Sequence, residues 1–361
     1  MTKPVTFAIC GCGSRGLDAY AAYQERHPER MQIVAGADCR PERLALLREK
    51  YAVPAERCFA SAEELLSQPK LADALIIATQ DRQHVPEALA ALEKGYHLLV
   101  EKPISPSLEE CRLLREKARE TGRAVVVCHV LRYTRFYSAL ESMLRRGDIG
   151  KIQTIDAVEH VGYWHYAHSF VRGNWRRSEE TSPMILAKSC HDMDILRWLA
   201  GEKCLKVQSF GPLDHFRAEK APAGAPARCQ DGCPHREECL YDAEKIYITN
   251  PRCGVRRVGD GWPCNVVVCE PTEEKIREAL RTSPYGRCVY HCDNDVVDHQ
   301  TVNLEFENNI HATFTMTAFT ELCRRTIKIT GTRGEIVGNM EENKIHLYRF
   351  GAPEQVVDLS A

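Results

Sequence analysis

The sequence predicts an α/β protein: a doubly wound parallel sheet in the N-terminal half, followed by an α+β domain with a largely antiparallel sheet. Three observations lead to this prediction. The apolar run Val5–Cys10 enters a glycine-rich turn and a helix-like stretch, residues 17–27. Apolar runs and helical stretches then alternate as far as residue 129, whereas beyond residue 150 strand-like runs are separated by short polar turns. The first pattern is typical of parallel sheets and the second of antiparallel ones.

The glycine-rich turn after the first strand has the pattern G-x-G-x-x-G, formed by Gly11, Gly13 and Gly16, with Ser14 and Arg15 between the last two. Gly11 makes the tight turn, Gly13 lets the backbone approach a pyrophosphate, and Gly16 lets the helix pack on the strand. The helix N-terminus then offers N–H groups and a positive dipole end to phosphates. The motif alone is also compatible with a simple tight turn, but the strand before it and the helix after it favour a dinucleotide site.

Asp38 closes the second apolar run, Met31–Ala37, and lies 22 positions after Gly16. A carboxylate there hydrogen-bonds the adenosine ribose hydroxyls and repels a 2′-phosphate, so the sequence predicts NAD rather than NADP. Arg40 and Arg43 lie close enough in the chain to moderate that preference.

The remaining elements of the N-terminal half follow in order. We expect helices at residues 41–50, 85–94 and 107–120, a short helix opened by a Ser61–Glu64 capping box, and strands at residues 74–79, 96–100 and 124–129. Ligands of such sheets bind beyond the carboxyl ends of the strands. This rule selects residues 79–84, 101–103 and 128–132, with Thr79, His84 and Glu101 as expected cofactor contacts.

The C-terminal half begins with a predicted strand at residues 151–160 and a stretch with helical apolar spacing at residues 184–199. Antiparallel strands are expected at residues 296–306, 310–317 and 325–330. We therefore predict two domains, residues 1–130 and 131–361, with a cysteine-rich insertion at about residues 212–295.

Bulk composition excludes several classes of protein. The 361 residues suffice for two domains with cores, and the net charge of −2 without long charged blocks argues against nucleic-acid or membrane surfaces. No apolar run approaches the ~20 residues of a membrane span, and no signal-peptide pattern precedes the first strand. We expect a cytoplasmic protein, in which the 17 cysteines do not form a fully paired disulfide framework.

The fifth strand is followed by Glu101-Lys102-Pro103, and the C-terminal half contains His191-x-x-Asp194. With Asp38 and residues 79–84, these motifs resemble the glucose–fructose oxidoreductase, inositol dehydrogenase and rhizopine-catabolism (Gfo/Idh/MocA) family, and the resemblance covers nearly the whole chain. It implies a Rossmann domain and hydride transfer between a nicotinamide and a hydroxyl-bearing carbon of a sugar or cyclitol. It also implies a homo-oligomer formed through the outer face of the C-terminal sheet.

The resemblance places Lys102 beside the reacting hydroxyl and the nicotinamide, with Pro103 in a cis peptide, and makes His191 the general base. A cationic ammonium stabilises alkoxide character, and an imidazole suits proton removal near neutral pH. The family aspartate four residues before the histidine is replaced by Ala187. Lys188, three residues before His191, is expected on roughly the same helical face, and its role stays open between catalytic, substrate-orienting and neither.

A second group of polar and aromatic residues lies between residues 162 and 177. Aromatic faces stack on sugar rings and polar side chains bond hydroxyls, but the same composition also suits an oligomer interface. With Arg132 after the last strand of the first sheet, the expected substrate contacts are Tyr163, His168, Arg172, Trp175, Lys188 and His191.

Cysteines are concentrated in the insertion, where Cys229, Cys233 and Cys239 lie in a polar stretch with little to bury. Three close thiolates and one more ligand would hold a structural zinc, and an iron–sulfur cluster would use similar ligands. We favour Cys288 as the fourth ligand, because residues 283–295 can fold back beside the insertion. Free thiols are the alternative.

Three functions are compatible with the sequence. The leading one is an NAD-dependent sugar or cyclitol dehydrogenase. A second is a glycoside-cleaving enzyme that oxidises a sugar transiently, eliminates the glycosidic group and recycles tightly bound NAD. The third is a non-catalytic NAD-binding sensor, favoured only by the absence of a carboxylate at Ala187.

Overall fold

A computed structural model describes residues 3–360 of the chain. The backbone divides into two compact units. The first unit comprises the residues up to Cys128 together with Glu179–Ser182, and the second comprises His129–Ser178 and the residues from Pro183 onward. None of the helices within residues 3–360 is long and apolar enough to cross a membrane.

The first unit is built on a six-stranded sheet in which every pair of neighbouring strands is parallel. Its strands are β1 (Val5–Cys10), β2 (Met31–Ala37), β3 (Cys58–Phe59), β4 (Ala74–Ile77), β5 (His97–Val100) and β6 (Val125–Val127). The strand order is β3-β2-β1-β4-β5-β6, the order of two βαβαβ halves that meet between β1 and β4. The predicted doubly wound parallel sheet is confirmed.

The α-helices of this unit are α1 (Tyr23–Arg26), α2 (Pro41–Tyr51), α3 (Ala62–Ser67), α4 (His84–Glu93) and α5 (Leu108–Thr121). Ser61 caps α3 by accepting a hydrogen bond from the backbone N–H of Glu64, as predicted. The helix-like stretch expected at residues 17–27 is helical but irregular: a π-helix, Ser14–Ala21, precedes the four-residue α1. At Gly16, the first turn of that π-helix lies so close to the glycine turn that no side chain fits between them, which restricts the position of the helix.

Both faces of the parallel sheet are covered by apolar side chains. Along β1, Ala8 and Cys10 belong to one core cluster and Ile9 belongs to the other. Leu75 and Ile76 of β4 alternate between the same two clusters. Burial on both faces explains why these strands read as continuous apolar runs in the sequence.

The second unit contains an eight-stranded sheet in the order β14-β13-β12-β11-β7-β10-β9-β8. Its strands are β7 (Ile152–His160), β8 (Cys204–Phe210), β9 (His299–Phe306), β10 (Ile310–Thr317), β11 (Arg324–Gly331), β12 (Gly334–Asn339), β13 (Lys344–Arg349) and β14 (Gln355–Asp358). Only the β7–β10 pair is parallel. The prediction of a largely antiparallel sheet is therefore confirmed.

Seven α-helices accompany this sheet among the described residues: α6 (Arg135–Arg145), α7 (Tyr163–Tyr166), α8 (Met184–Ala187), α9 (Cys190–Ala200), α10 (Val255–Val258), α11 (Cys264–Val267) and α12 (Glu273–Thr282). Phe136 and Leu140 of α6 and Ile195 and Leu199 of α9 are buried in one core cluster with the sheet. This packing fixes α9, which carries His191, on the sheet.

Candidate active site

The turns that follow the parallel strands start at one edge of the first sheet. The N–H of Gly11 donates to the carbonyl of Ala37 (2.9 Å), and that of Ala78 donates to Cys10 (2.8 Å). Further along the edge, the N–H of Glu101 donates to Ile77 (2.9 Å). The sheet thus aligns the glycine turn with the segments after β4 and β5.

The glycine turn is shaped as a dinucleotide requires. Gly11 has φ +88°, and a Cβ there would lie 2.4 Å from the carbonyl oxygen of Ala78. A Cβ on Gly16 would lie 2.0 Å from the carbonyl oxygen of Gly11, so the helix can approach only with glycine. At Gly13 a Cβ would have no neighbour within 4 Å. The backbone there is open to a ligand, and these residues fit a pyrophosphate.

Asp38 lies at the end of β2 with 9% of its side chain exposed. Its Oδ1 accepts a hydrogen bond from the backbone N–H of Arg40 (2.9 Å) and lies 3.8 Å from Arg40 Nε. Arg43 is 4% exposed and donates to the Cys12 carbonyl (2.6 Å) and to Asp18 Oδ1 (3.0 Å). Arg43 is therefore held by the glycine turn and by Asp18, and its hydrogen bonds go to these groups rather than to Asp38.

Glu101 is buried at the end of β5 and receives three hydrogen bonds. Arg15 Nε donates across 2.7 Å, the backbone N–H of Lys102 donates across 2.9 Å, and the Tyr20 hydroxyl donates as well. Burial raises the pKa of Glu101, but the Arg15 guanidinium and these hydrogen bonds outweigh burial and hold the pKa below its usual range. Glu101 is therefore an anion that fixes Arg15 and the start of the Lys102 turn.

Lys102 is partly exposed and is followed by a cis peptide to Pro103, as the resemblance predicted. His84 lies behind this turn, with Nδ1 2.8 Å from the Pro103 carbonyl and Nε2 3.2 Å from that of Thr79. His84 is only 1% exposed. The predicted cofactor contact by His84 is wrong, because the ring is buried between the two turns and each of its nitrogens faces a backbone carbonyl.

The turn after β4 contains polar contacts that the sequence did not suggest. The Thr79 hydroxyl donates to Glu87 Oε2 (2.8 Å), and burial raises the pKa of Glu87 to about 7 although this hydrogen bond opposes the rise. The Ser182 hydroxyl donates to Asp81, and both side chains are buried. Residues 179–182 thus pack on the first unit although they are distant from it in sequence, and no local pattern could have indicated this.

A buried ionic network surrounds Lys188 in the second unit. Its ammonium lies 3.4 Å from Glu159 of β7, and Arg325 of β11 contacts both Glu159 (2.5 Å) and Asp192 of α9 (2.8 Å). Burial raises the pKa of Glu159, against the charges of Arg325 and Lys188. Glu159, Asp192 and Arg325 were not predicted from the sequence, because they come from three different elements, β7, α9 and β11, and meet only in the folded unit.

The helix expected at residues 184–199 is interrupted. α8 ends at Ala187, Lys188 has φ −117° and ψ −58°, and α9 begins at Cys190. Lys188 and Ser189 separate these two helices, so the spacing of a single helix no longer places Lys188 and His191 on one face, and their shared orientation stays a prediction. Ala187 is 3% exposed, so its methyl group belongs to the core.

His191 lies in the first turn of α9, one turn before Asp194. The ring of His129 stands edge-on to that of His191, with centroids 6.2 Å apart. Asp194 receives two hydrogen bonds from Arg132, at 2.7 and 2.6 Å, and lies 3.9 Å from His129 Nδ1. Arg132 therefore links the turn after β6 to helix α9 through Asp194. Substrate contact by Arg132 stays a prediction.

Two of the expected substrate contacts are core residues. Arg172 is 0% exposed and donates to the carbonyls of Arg287 and Tyr241, at 2.7 Å each. His168 is 3% exposed, stacks on Tyr285 and hydrogen-bonds the Tyr247 hydroxyl (3.0 Å). Burial and the Arg172 charge lower the pKa of His168 to about 3, so it is neutral. Substrate contact by either residue is a wrong prediction, because neither reaches solvent.

Tyr163 and Trp175 are partly exposed. The Tyr163 hydroxyl accepts a hydrogen bond from Asn250 (2.9 Å), and its ring meets Tyr241 edge-on. Trp175 packs against the core of the second unit. Both remain candidates for substrate contact.

The predicted return of residues 283–295 to the insertion is confirmed: Cys288 N–H donates to the Ala227 carbonyl (2.9 Å), and Cys229 N–H donates to Gly286 (3.1 Å). Within residues 3–360, however, no three Cys, His, Asp or Glu side chains are grouped so that they could hold a metal. The predicted site at Cys229, Cys233, Cys239 and Cys288 is not formed.

The surroundings of these thiols explain the absence of a metal site. Arg172 Nη2 lies 3.6 Å from Cys229 Sγ, and a guanidinium there opposes a second cation. Burial raises the pKa of Cys239 and of Cys288, which favours the neutral thiol over the thiolate that metals bind.

The parallel sheet, the glycine turn and Asp38 together define a dinucleotide-binding protein of the Rossmann class. Residues 5–129 match the family described as "Oxidoreductase family, NAD-binding Rossmann fold", and residues 141–361 match its "C-terminal alpha/beta domain". The chain therefore belongs to the Gfo/Idh/MocA oxidoreductase family and is an NAD-binding oxidoreductase.

Individual relatives agree with this assignment. The putative oxidoreductase YteT of Bacillus subtilis is 23% identical over 363 residues, which cover 97% of this chain and 80% of YteT. The scyllo-inositol 2-dehydrogenase (NAD(+)) of the same organism is 34% identical over 152 residues, 41% of each chain. An inositol dehydrogenase homologue from Azotobacter vinelandii, solved with NADH and myo-inositol, shares the fold with a TM-score of 0.67 at 17% identity, over 100% of this chain and 77% of that one.

Proposed function

We propose that this protein is an NAD-dependent dehydrogenase that interconverts a hydroxyl and a carbonyl on a sugar or cyclitol. The observation that carries the proposal is the Asp38 carboxylate beside an open glycine turn, with Arg43 engaged elsewhere. The polyol class of substrate is supported by relatives that are named for inositol and for 1,5-anhydro-D-fructose. NADP is the less favoured cofactor, because Asp38 repels its 2′-phosphate.

Each role follows from the chemistry of a named group. Gly11, Gly13, Ser14, Arg15 and Gly16 would hold the pyrophosphate, and Asp38 would hold the ribose. Bound NAD would supply the acceptor for a hydride from the hydroxyl-bearing carbon. The Lys102 ammonium stabilises negative charge on the hydroxyl oxygen, and His191 accepts the hydroxyl proton.

We propose a substrate-orienting role for Lys188. A protonated lysine carries three N–H donors and no acceptor, so it suits hydroxyl binding better than proton removal. Its pairing with Glu159 (3.4 Å) fixes the direction of the side chain. Lys188→Ala is expected to raise KM for the polyol more than it lowers kcat.

The test mixes NAD-loaded protein with myo-inositol, scyllo-inositol, D-glucose, D-glucuronate and glycosides while nicotinamide fluorescence is followed. Lys102→Ala and His191→Ala should abolish turnover and leave NAD affinity nearly unchanged. Lys151→Ala and His346→Ala are the matched controls, because Lys151 lies directly before β7 and His346 lies in β13. Full turnover in both active-site variants would contradict the proposal.

The same experiment separates the alternatives. Reduced nicotinamide that forms in stoichiometric amount and never leaves the protein would indicate a glycoside-cleaving enzyme that recycles NAD. No response to any polyol would favour the NAD-binding sensor. A homo-oligomer formed through the outer face of the second sheet and a cytoplasmic location remain predictions.

A further inference from the structure

A base that removes a proton from a substrate must pass that proton on before the next turnover. Residues on and beside α9 bear on where the proton from His191 can go. Ala187 places a methyl group one residue before the helix break, and Asp192 is engaged with Arg325 (2.8 Å) in a buried ion pair. Asp194, one turn after His191, is the carboxylate of α9 that lies on the same helical face as His191.

His129 completes this arrangement from a different element. It lies two residues after β6 and directly before the 3₁₀ turn Val130–Tyr133. Its ring is edge-on to His191 at 81°, with centroids 6.2 Å apart, and its Nδ1 is 3.9 Å from Asp194 Oδ2. Two imidazoles and one carboxylate therefore lie next to one another, at separations that one water can bridge.

Asp194 is held rigidly in this arrangement. Arg132 binds both of its oxygens, and the Arg132 guanidinium lies over the ring of Trp198, 5.4 Å from the centroid. Trp198 is one turn after Asp194 on α9, so the clamp connects the 3₁₀ turn to the helix. The carboxylate is only 13% exposed, and its position beside His129 is fixed by these contacts rather than by solvent.

We propose that His129 is a proton-relay residue, which takes from His191 the proton lost by the substrate hydroxyl and is stabilised as an imidazolium by Asp194. This inference rests on the proposed dehydrogenase function. The separation of the rings exceeds a direct hydrogen bond, so one water accepts the proton from His191 and donates another to His129. His191 returns to the neutral form, His129 becomes cationic, and release of the proton to bulk water closes the cycle.

The positive charge of Arg132 prevents His129 from holding the proton too firmly. It neutralises part of the Asp194 charge and so limits the stability of the His129 imidazolium. A relay group must hold the proton only briefly, because a group that holds it firmly would stop the next turnover. Within the second unit, His129 is near the Asp194 carboxylate and the ring of His191, and Asp194 in turn is bound by the Arg132 guanidinium.

The first measurement is an NMR titration of the histidine rings in protein labelled at histidine. In the wild type, the two rings are expected to titrate as a coupled pair, since charges about 6 Å apart shift each other by about one pH unit at an intermediate dielectric. In His129→Gln, His191 should titrate in a single independent step. An unchanged His191 titration in that variant overturns the proposal, whatever the activity.

The second measurement is turnover of the panel polyol to which the wild type responds most strongly. His129→Gln and Asp194→Asn should each lower kcat roughly 100-fold, the lower end for a positioned acid–base group, and leave KM and NAD affinity nearly unchanged. Added imidazole should partly restore His129→Ala, which a purely structural role would not allow. His346→Gln is the matched control, because His346 also pairs with a carboxylate, Glu354 (2.6 Å).

The outcomes are distinguishable. Coupled titration with normal kcat in both variants overturns the relay and leaves the dehydrogenase function intact. A wild type that oxidises none of the polyols contradicts the dehydrogenase function itself, and the relay with it. Coupled titration together with reduced kcat and imidazole rescue supports the relay.

Discussion

Arg43 of α2 donates a 2.6 Å hydrogen bond from Nε to the carbonyl of Cys12, inside the glycine turn. The same guanidinium binds Asp18 of the π-helix at 3.0 Å. One buried side chain thus joins α2, the turn and the following helix. An arginine that the sequence suggested as a neighbour of the ribose instead fixes the shape of the phosphate-binding turn.

Arg43→Ala should weaken NAD binding. The substitution removes two charge-assisted hydrogen bonds and leaves the Cys12 carbonyl without its donor, so NAD affinity is expected to fall about tenfold. Fluorescence titration of the protein with NAD measures the change. Arg48→Ala, on the exposed face of the same helix, is the control and should bind NAD normally. Equal affinities in the two variants would show that Arg43 has no part in shaping the turn.

Asp38→Asn should improve the use of NADP relative to NAD. Removal of the carboxylate ends its repulsion of the 2′-phosphate, which is worth about 1–4 kcal/mol at contact distance, depending on the local dielectric. We expect the ratio of kcat/KM for NADP over that for NAD to rise at least about tenfold. An unchanged ratio would mean that another group sets the preference.

Glu87→Gln should stabilise the protein above pH 7. Burial raises the pKa of Glu87 from 4.5 to about 7. A carboxyl with a raised pKa binds more protons in the folded state between these values, so its contribution to stability decreases as pH rises from 4.5 to 7. The glutamine removes this loss and keeps an acceptor for Thr79.

The expected gain for Glu87→Gln is about 1–3 kcal/mol in the free energy of unfolding above pH 7 and little below pH 4.5. Urea unfolding at several pH values measures it. Glu93→Gln, on the exposed side of the same helix, should leave the pH profile unchanged. A Glu87→Gln profile parallel to that of the wild type would contradict a raised pKa.

Arg325→Leu should destabilise the second unit strongly. Arg325 is the cation between the buried carboxylates of Glu159 and Asp192, and its loss leaves them close together without this partner. Removal of one partner from a buried ionic group costs about 3–5 kcal/mol. Thermal and denaturant unfolding measure the loss, with exposed Arg333→Leu as the control. A loss below that of the control would show that the network contributes nothing net.

The sequence predicted the fold well where local pattern and long-range packing agree. The apolar runs of β1, β2 and β4 identified the parallel sheet because strands buried on both faces must be apolar throughout. The cap at Ser61 was also predictable, since capping depends on residues only three positions apart. The interruption at Lys188 was not predictable, because the apolar spacing continues across it and only the structure shows that α8 ends at Ala187 and α9 begins at Cys190.

Charged residues show the same division. The position of Asp38 followed from its distance to the glycine motif, whereas the engagement of Arg43 with Cys12 depends on how α2 packs. Arg172 and His168 were predicted at a substrate surface from their residue types, and both proved to be buried. The residue type shows which groups a side chain can bind. Which of those groups it contacts depends on where the side chain lies in the folded protein.

By itself, the sequence determined the two-part architecture, the dinucleotide turn and the family, because all three depend on patterns of residues that lie close together in the chain. The tertiary structure alone decided which ionisable groups meet: Lys188 with Glu159, Arg132 with Asp194, and His129 with His191. These partners are 29 to 62 residues apart in the chain. They come together only when strands and helices pack. Burial then strengthens the electrostatic interactions between them, and the sequence alone does not show which residues are buried.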